Sequence, residues 1–273
     1  MRGLGFRVTG LPSSPGNLGN PVTWQPEVRV NGIDIYYEIH GAAHDGPPLV
    51  LLHGGDPSIE TSFGHILPEL AKRRRIVAFD QAGHGRTPDR PDQPFSFEQS
   101  ADDAAALLEA LGIDRADFYG YSNGGTIALQ VAIRHPTLVR KLVVQSANFR
   151  SDGMVPELWE GMRKATLADM PAEYRDIYVR LSPHPERLQS YFEKSQQRML
   201  QFKDIPAEAI KAIDAPVLIM IGDRDIIRPE HALELFRLLP HAQLAVLPDT
   251  DHMQMADRAA WEVPMIEAFL EGG

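Results

Sequence analysis

Phe118–Leu129 reads FYGYSNGGTIAL, an apolar run that passes through a serine flanked by glycines into a segment with helical spacing. Gly120-Tyr121-Ser122-Asn123-Gly124 fits Gly-x-Ser-x-Gly at a strand-to-helix junction, the context in which that pattern holds a nucleophile. A sharp turn pushes the serine out at the top of a sheet. Small residues two before and two after it let neighbouring segments pass closely. The helix that follows turns backbone N–H groups toward a developing negative charge. A glycine-rich turn with an incidental serine writes the same five letters, so the reading depends on the rest of the chain.

Upstream, VRVNGIDIYYEIHG alternates around Asn31-Gly32, a two-residue hairpin signal. PPLVLLHGG and RRIVAFDQAGHG are short apolar runs closing in glycines, and SFGHILPELAKR between them has Leu67, Leu70 and Ala71 on one helical side. SFEQSADDAAALLEALGI predicts a helix capped by Ser96, with an apolar stripe of Leu107, Leu108 and Leu111. Downstream, the helix after the serine stops near Pro136 and RKLVVQSA is a further strand. This β-α-β order predicts an α/β fold, a mostly parallel sheet of the eight-stranded type wrapped by helices.

The alternation breaks over residues 148–212, which carry three helical stretches, VPELWEGMRKATLA, AEYRDIYVRL and PERLQSYFEKSQQRMLQF. That is too long for a simple connection and reads as a helical lid inserted into the core. The sheet pattern resumes with APVLIMIGDRD, ALELFRLLP, AQLAVLP and AAWEVPMIEAFLEG. Residues 27–147 and 213–273 therefore form the expected core, and residues 1–26, rich in Gly, Pro, Ser and Asn, an N-terminal extension.

The chain has 273 residues, 43% of them hydrophobic, which suffices for a large buried core. Its net charge of −10 disfavours nucleic acid and anionic membranes as partners. The basic run Lys72-Arg73-Arg74-Arg75 reads as a solvated turn before a strand. The absence of cysteine excludes disulfides, thiolate metal sites and a cysteine nucleophile. With no signal-like apolar stretch and no apolar run of about 18 residues, the expectation is a cytoplasmic protein with no membrane partner. Homo-oligomerisation stays open.

A serine hydroxyl needs a base, and the base needs an orienting group. His252, in LPDTDHMQMAD directly after the last predicted strand, falls at the sheet edge that also carries Ser122. Asp225, in GDRD at the end of the preceding strand, is placed to orient it, while Asp223 suits the turn. His53-Gly54-Gly55-Asp56 closes another strand, so that the Gly55 amide can face the serine beside the amide of Asn123 as an oxyanion hole. Taken singly, each of these is also a turn or loop residue. What separates the two readings is their joint placement at strand ends in the order Ser, Asp, His.

These features resemble the α/β-hydrolase fold superfamily from about Val28 to Phe269, through HGG, DQAGHGRT, GYSNGG, GDRD and the histidine loop. The resemblance implies Ser122 as nucleophile, Asp225 as acid, His252 as base and the Gly55 and Asn123 amides as oxyanion hole. It also implies that residues 148–212 are the lid. Two departures stand out. Asp251 precedes the histidine where the family commonly has glycine, and a serine rather than an aspartate occupies the elbow, unlike haloalkane dehalogenases and epoxide hydrolases.

The chemistry expected is acyl transfer to water from a small, moderately apolar carboxylic ester or lactone, with no metal or organic cofactor. The same triad could instead hydrolyse a C–C bond in a ring-cleavage product, or the scaffold could serve ligand binding or signalling. Candidate pocket residues are Asp56, Tyr121, Phe149 and Trp159. Met162, Tyr191, Phe192, Met199 and Phe202 of the insertion either join them or pack its helices onto the core.

Overall fold

The computed structural model describes residues 27–55 and 57–272. The N-terminal extension read at residues 1–26 and the pocket candidate Asp56 lie outside the described residues.

The hairpin predicted at Asn31-Gly32 forms between β1 (Glu27–Val30) and β2 (Ile33–His40), paired antiparallel with Val30 opposite Ile33. Both turn residues take positive φ, +46° and +86°, as a tight two-residue connection requires. There follow β3 (Leu49–Leu52), α1 (Ile59–Phe63), α2 (Leu67–Leu70), β4 (Ile76–Phe79), α3 (Phe97–Ala110), β5 (Ala116–Tyr121), α4 (Asn123–Arg134) and β6 (Val139–Gln145). Next come α5 (Pro156–Lys164), α6 (Ala172–Leu181), α7 (Leu188–Leu200) and the short α8 (Ala207–Lys211). The chain then completes the sheet with β7 (Val217–Arg224), α9 (Pro229–Leu238), β8 (Ala242–Asp251) and α10 (Ala259–Glu271).

The eight strands form one sheet in the order β1-β2-β4-β3-β5-β6-β7-β8. The pairs involving β2 are antiparallel and the remainder parallel, the mixed sheet expected of the α/β reading. Alternate residues of the inner strands feed opposite faces. Val50, Leu52, Phe118 and Val144 join one buried cluster with α3 and α4, while Leu49, Leu51, Tyr119 and Val143 join another with α1, α2 and α10. Because both faces are covered, LVLL is buried at every position and reads as a continuous apolar run. Each such side chain contributes about 1.5–3 kcal/mol by leaving water. The chain order reverses at β4-β3-β5, the point in an open α/β sheet where a crevice forms beyond the carboxyl ends of the strands.

Two local expectations are corrected. SFGHILPELAKR forms two short helices rather than one, because Pro68 near the start of α2 has no N–H to donate and its ring would meet the carbonyl of Gly64. The basic run is only partly solvated. Lys72 and Arg73 are exposed, but the Arg74 guanidinium is largely buried, with its Nε donating to Glu267 at 2.9 Å and Asp117 3.9 Å away. Pairing with the last helix, which local sequence cannot display, turns Arg74 inward, and Arg75 beside it is half-buried. Ser96 does cap α3, accepting from the Gln99 N–H at 3.0 Å.

Candidate active site

Ser122 stands between β5 and α4 with φ +54° and ψ −121°, a conformation that costs about 1–3 kcal/mol for a residue with a side chain. The surrounding glycines are obligatory. A Cβ on Gly120 would lie 2.1 Å from the Gly124 carbonyl oxygen, and one on Gly124 would lie 1.8 Å from that of Leu52. The Ser122 N–H donates to the Gln145 carbonyl at 2.8 Å, tying the elbow to the end of β6.

β8 ends at Asp251 and delivers His252 beside the elbow, with Nε2 3.0 Å from Ser122 Oγ. The other ring nitrogen, Nδ1, lies 2.7 Å from Asp225 Oδ1. An ionised carboxylate only accepts, so Nδ1 carries the proton and Nε2 is free to accept from the serine hydroxyl. The structure thus brings together the three residues singled out from three distant strand ends. Asp223 is turned away and accepts from the Thr250 N–H at 3.1 Å, serving the β7–β8 end instead. Asp251, the departure beside the histidine, engages Gln254, whose N–H donates to its carboxylate at 2.8 Å.

The Asp225 carboxylate is fully enclosed and multiply satisfied. Oδ1 also accepts from the Ile227 N–H at 2.9 Å, and Oδ2 accepts from the Ser146 hydroxyl at 2.5 Å. Burial pushes its pKa up, but His252 beside it, the Ile227 N–H and the Ser146 hydroxyl outweigh that and hold it below the usual carboxylate range. Ser146 has φ +52°, so a second strained serine at a strand end supports the group that orients the histidine. Residue type predicted nothing of this partnership; VVQSAN shows only a small polar residue after a strand. Tyr121, a pocket candidate from its place in the elbow, does line the cavity and also has a supporting part. Its hydroxyl donates to the His252 carbonyl at 2.7 Å and its ring lies 5.2 Å from the imidazole, so it anchors the histidine from beneath while edging the cavity.

Gly55 and Asn123 flank Ser122 in the wall of the cavity. Asn123 opens α4, where a backbone N–H has no acceptor within the helix. The Gly54 N–H is already given to Ser62 Oγ at 2.9 Å, which leaves Gly55 as the member of the pair whose amide suits an oxyanion. A Cβ on Gly55 would come within 2.7 Å of the Asn123 carboxamide nitrogen. His53 is structural here. Its Nδ1 donates to the Gly54 carbonyl at 3.0 Å and its Nε2 accepts from the Gln81 N–H at 2.9 Å, while burial lowers its pKa to about 3. A neutral imidazole therefore ties the HGG loop to the turn DQAGHGRT.

Above the serine is a cavity of about 390 Å³. Its far wall comes from the helices between β6 and β7, with Leu158 and Met162 of α5, Tyr174 of α6, and Tyr191, Phe192 and Met199 of α7. Two expected pocket residues are corrected, and Phe202 takes the packing alternative. Phe149 is fully buried in the core, stacked 4.2 Å from the His231 ring. Trp159 points away from the cavity and donates its indole N–H to the Ser151 carbonyl at 2.9 Å, since its α5 neighbours at other helical positions take the inward face. Phe202 packs edge-on against Phe97. Sequence reasoning passed over Ser195, whose hydroxyl is buried in the cavity wall with no hydrogen-bond partner. Among the described residues no cluster suited to a metal ion occurs, and no helix is long and apolar enough to cross a membrane.

A family model described as alpha/beta hydrolase fold matches residues 47–194. The 2-hydroxymuconate semialdehyde hydrolase of Pseudomonas sp. (strain CF600) is 30% identical over 250 residues, spanning 82% of this chain and 87% of that protein. The serine hydrolase BPHL of Homo sapiens is 30% identical over 251 residues, spanning 86% of this chain and 82% of that one. Among solved structures, the enol-lactonase from Burkholderia xenovorans LB400 superposes with a TM-score of 0.72 at 23% identity, covering 90% of this chain and 99% of the other.

Proposed function

This chain belongs to the α/β-hydrolase fold family, and from that premise we propose that it is a serine hydrolase of small, apolar and uncharged carboxylic esters or lactones. The observation that carries the proposal is the hydrogen-bonded run Ser122–His252–Asp225 opening onto a cavity walled by methionines and aromatic rings. In this reading His252 Nε2 takes the hydroxyl proton as Ser122 Oγ bonds to the acyl carbon. The carbonyl oxygen gathers negative charge against the Gly55 and Asn123 amides. Collapse breaks the acyl–oxygen bond, the leaving alkoxide receives the proton from His252, and water repeats the sequence to free the acid and regenerate Ser122. Residues 148–212 act as the lid, supplying the part of the wall that selects the acyl or alcohol portion.

A second reading, hydrolysis of a C–C bond in a ring-cleavage product, draws support from the relative named for 2-hydroxymuconate semialdehyde. Such a substrate carries a carboxylate. No lysine or arginine lines the cavity over Ser122 among the described residues, and the charged side chain that does is Asp169. A carboxylate entering that space would lose its hydration without gaining a cation, which favours the neutral ester. The test is a panel of p-nitrophenyl short-chain esters, small lactones and dienoate ring-cleavage acids, run with wild type and Ser122→Ala. Turnover of neutral esters or lactones, lost in the variant, is expected. Turnover confined to the carboxylate-bearing C–C substrates would overturn the ester assignment.

A further inference from the structure

On the other side of α7 lies a second cavity, of about 130 Å³, which shares no lining residue with the one over Ser122. It is walled by Ser96, Phe97 and Glu98 at the start of α3, by Thr126 and Gln130 of α4, and by Arg198. Arg198 is only 5% exposed. Its Nε and Nη2 are buried with no hydrogen-bond partner, and among the described residues no carboxylate lies within ion-pairing distance. Two aromatic faces accompany it instead, Phe97 at 5.3 Å and Phe95 at 5.7 Å from the guanidinium carbon. Burial lowers its pKa to about 10, which still leaves it charged at neutral pH. The neighbouring His53 and His84 are held neutral by their own burial, and an imidazole could only add positive charge, so neither can act as a counter-ion.

An enclosed, ionised guanidinium without a partner is strongly unfavourable, and in folded proteins such a group is met by an anion, a carboxyl or water. The cavity meets the first of these. Its floor is the N-terminus of a 14-residue helix, where the first backbone N–H groups have no intrahelical acceptor and favour negative charge. The Gln99 N–H is already taken by the Ser96 cap, so the residues before it are the ones that offer donors. Lys203 adds a second cation at the mouth, against which Glu98 is the opposing charge. The planar fork of Arg198 suits the two oxygens of a carboxylate, and the walls of Phe95, Phe97 and Phe202 suit a short apolar tail.

We propose that this cavity is a binding site for a small carboxylate, held by Arg198 against the start of α3 and separate from the site at Ser122. Because Arg198 belongs to the inserted helix α7 and the floor to the core, occupancy fastens the insertion to the body of the protein.

Titration calorimetry and thermal unfolding of the full chain with sodium acetate and sodium propionate, at ionic strength held constant with sodium chloride, test this. Wild type is expected to show saturable binding and a rise in melting midpoint. Arg198→Met, which removes the charge and keeps the bulk, should weaken acetate binding about tenfold or more and abolish the rise. Should that variant fail to fold, Gln130→Glu places a carboxylate in the same cavity as an internal counter-ion. It should compete acetate out while raising the midpoint without ligand. Equal acetate affinity in wild type and either variant, or no saturable binding by wild type, would overturn the proposal.

Discussion

Removing the Ser146 hydroxyl tests whether Asp225 is tuned by its neighbours. That hydroxyl donates to Asp225 Oδ2 at 2.5 Å, in a place from which water is excluded, since both residues are buried. A hydrogen bond to a charged group contributes about 1.5–3 kcal/mol. At about 1.36 kcal/mol per pH unit, its loss should lift the folded-state pKa of Asp225 by roughly 1–2 units. The direction follows from linkage. Asp225 titrates below its unfolded value when folded, so the stability it contributes is present above the unfolded carboxylate pKa and is lost as pH falls through the folded one. Ser146→Ala raises that folded value. It should therefore lower unfolding free energy at neutral pH by about 1.5–3 kcal/mol and move the acid limb of kcat/KM upward. Ser146→Gly loses the same hydroxyl but relaxes φ +52°, so it should recover about 1 kcal/mol of stability with the same displaced limb. The assays are urea unfolding and the pH profile of p-nitrophenyl ester hydrolysis. If Ser146→Ala leaves the acid limb where it is in wild type, the reasoning about Asp225 is wrong, whatever the stability change.

Other consequences follow from the same geometry. Ser122→Ala should abolish ester turnover, by about 10⁵-fold or more, with the fold intact. Ser122→Gly should be equally inactive yet about 1 kcal/mol more stable than the alanine variant, because only glycine accepts φ +54° freely; equal denaturation midpoints would count against a strained elbow. Tyr121→Phe removes the bond to the His252 carbonyl and should lower kcat several-fold with KM nearly unchanged, measured by steady-state kinetics. Glu262 is buried beneath the sheet, bonded to Gln145 at 2.6 Å, and burial pushes its pKa up to about 8. The folded state therefore holds its proton more tightly than the unfolded one. This contribution is full below the unfolded value and is lost as pH rises through about 8. Glu262→Gln should flatten the decline in thermal midpoint across that interval, and an unchanged decline would refute the assignment.

Local sequence carried the architecture because the relevant forces are local or periodic. Alternating and continuous apolar runs announce strands, Asn31-Gly32 announces the hairpin, and the glycines around Ser122 announce an elbow that no larger residue permits. Strand ends then confine Ser122, Asp225 and His252 to one edge of the sheet, since parallel strands joined by helices all finish on the same side. What periodicity cannot convey is which residue lies opposite which across elements distant in the chain. The burial of Arg74 depends on Glu267, almost two hundred positions away, and the support of Asp225 by Ser146 depends on the register of β6 against β7. Phe149 and Trp159 had the composition of pocket residues, but contact with His231 of α9 turned one into the core, and the docking of the helices between β6 and β7 turned the other aside. The same docking left Arg198 buried without a partner. Such placements arise from the packing of whole surfaces, where one side chain's environment is set by many others at once, and only the tertiary structure decides them.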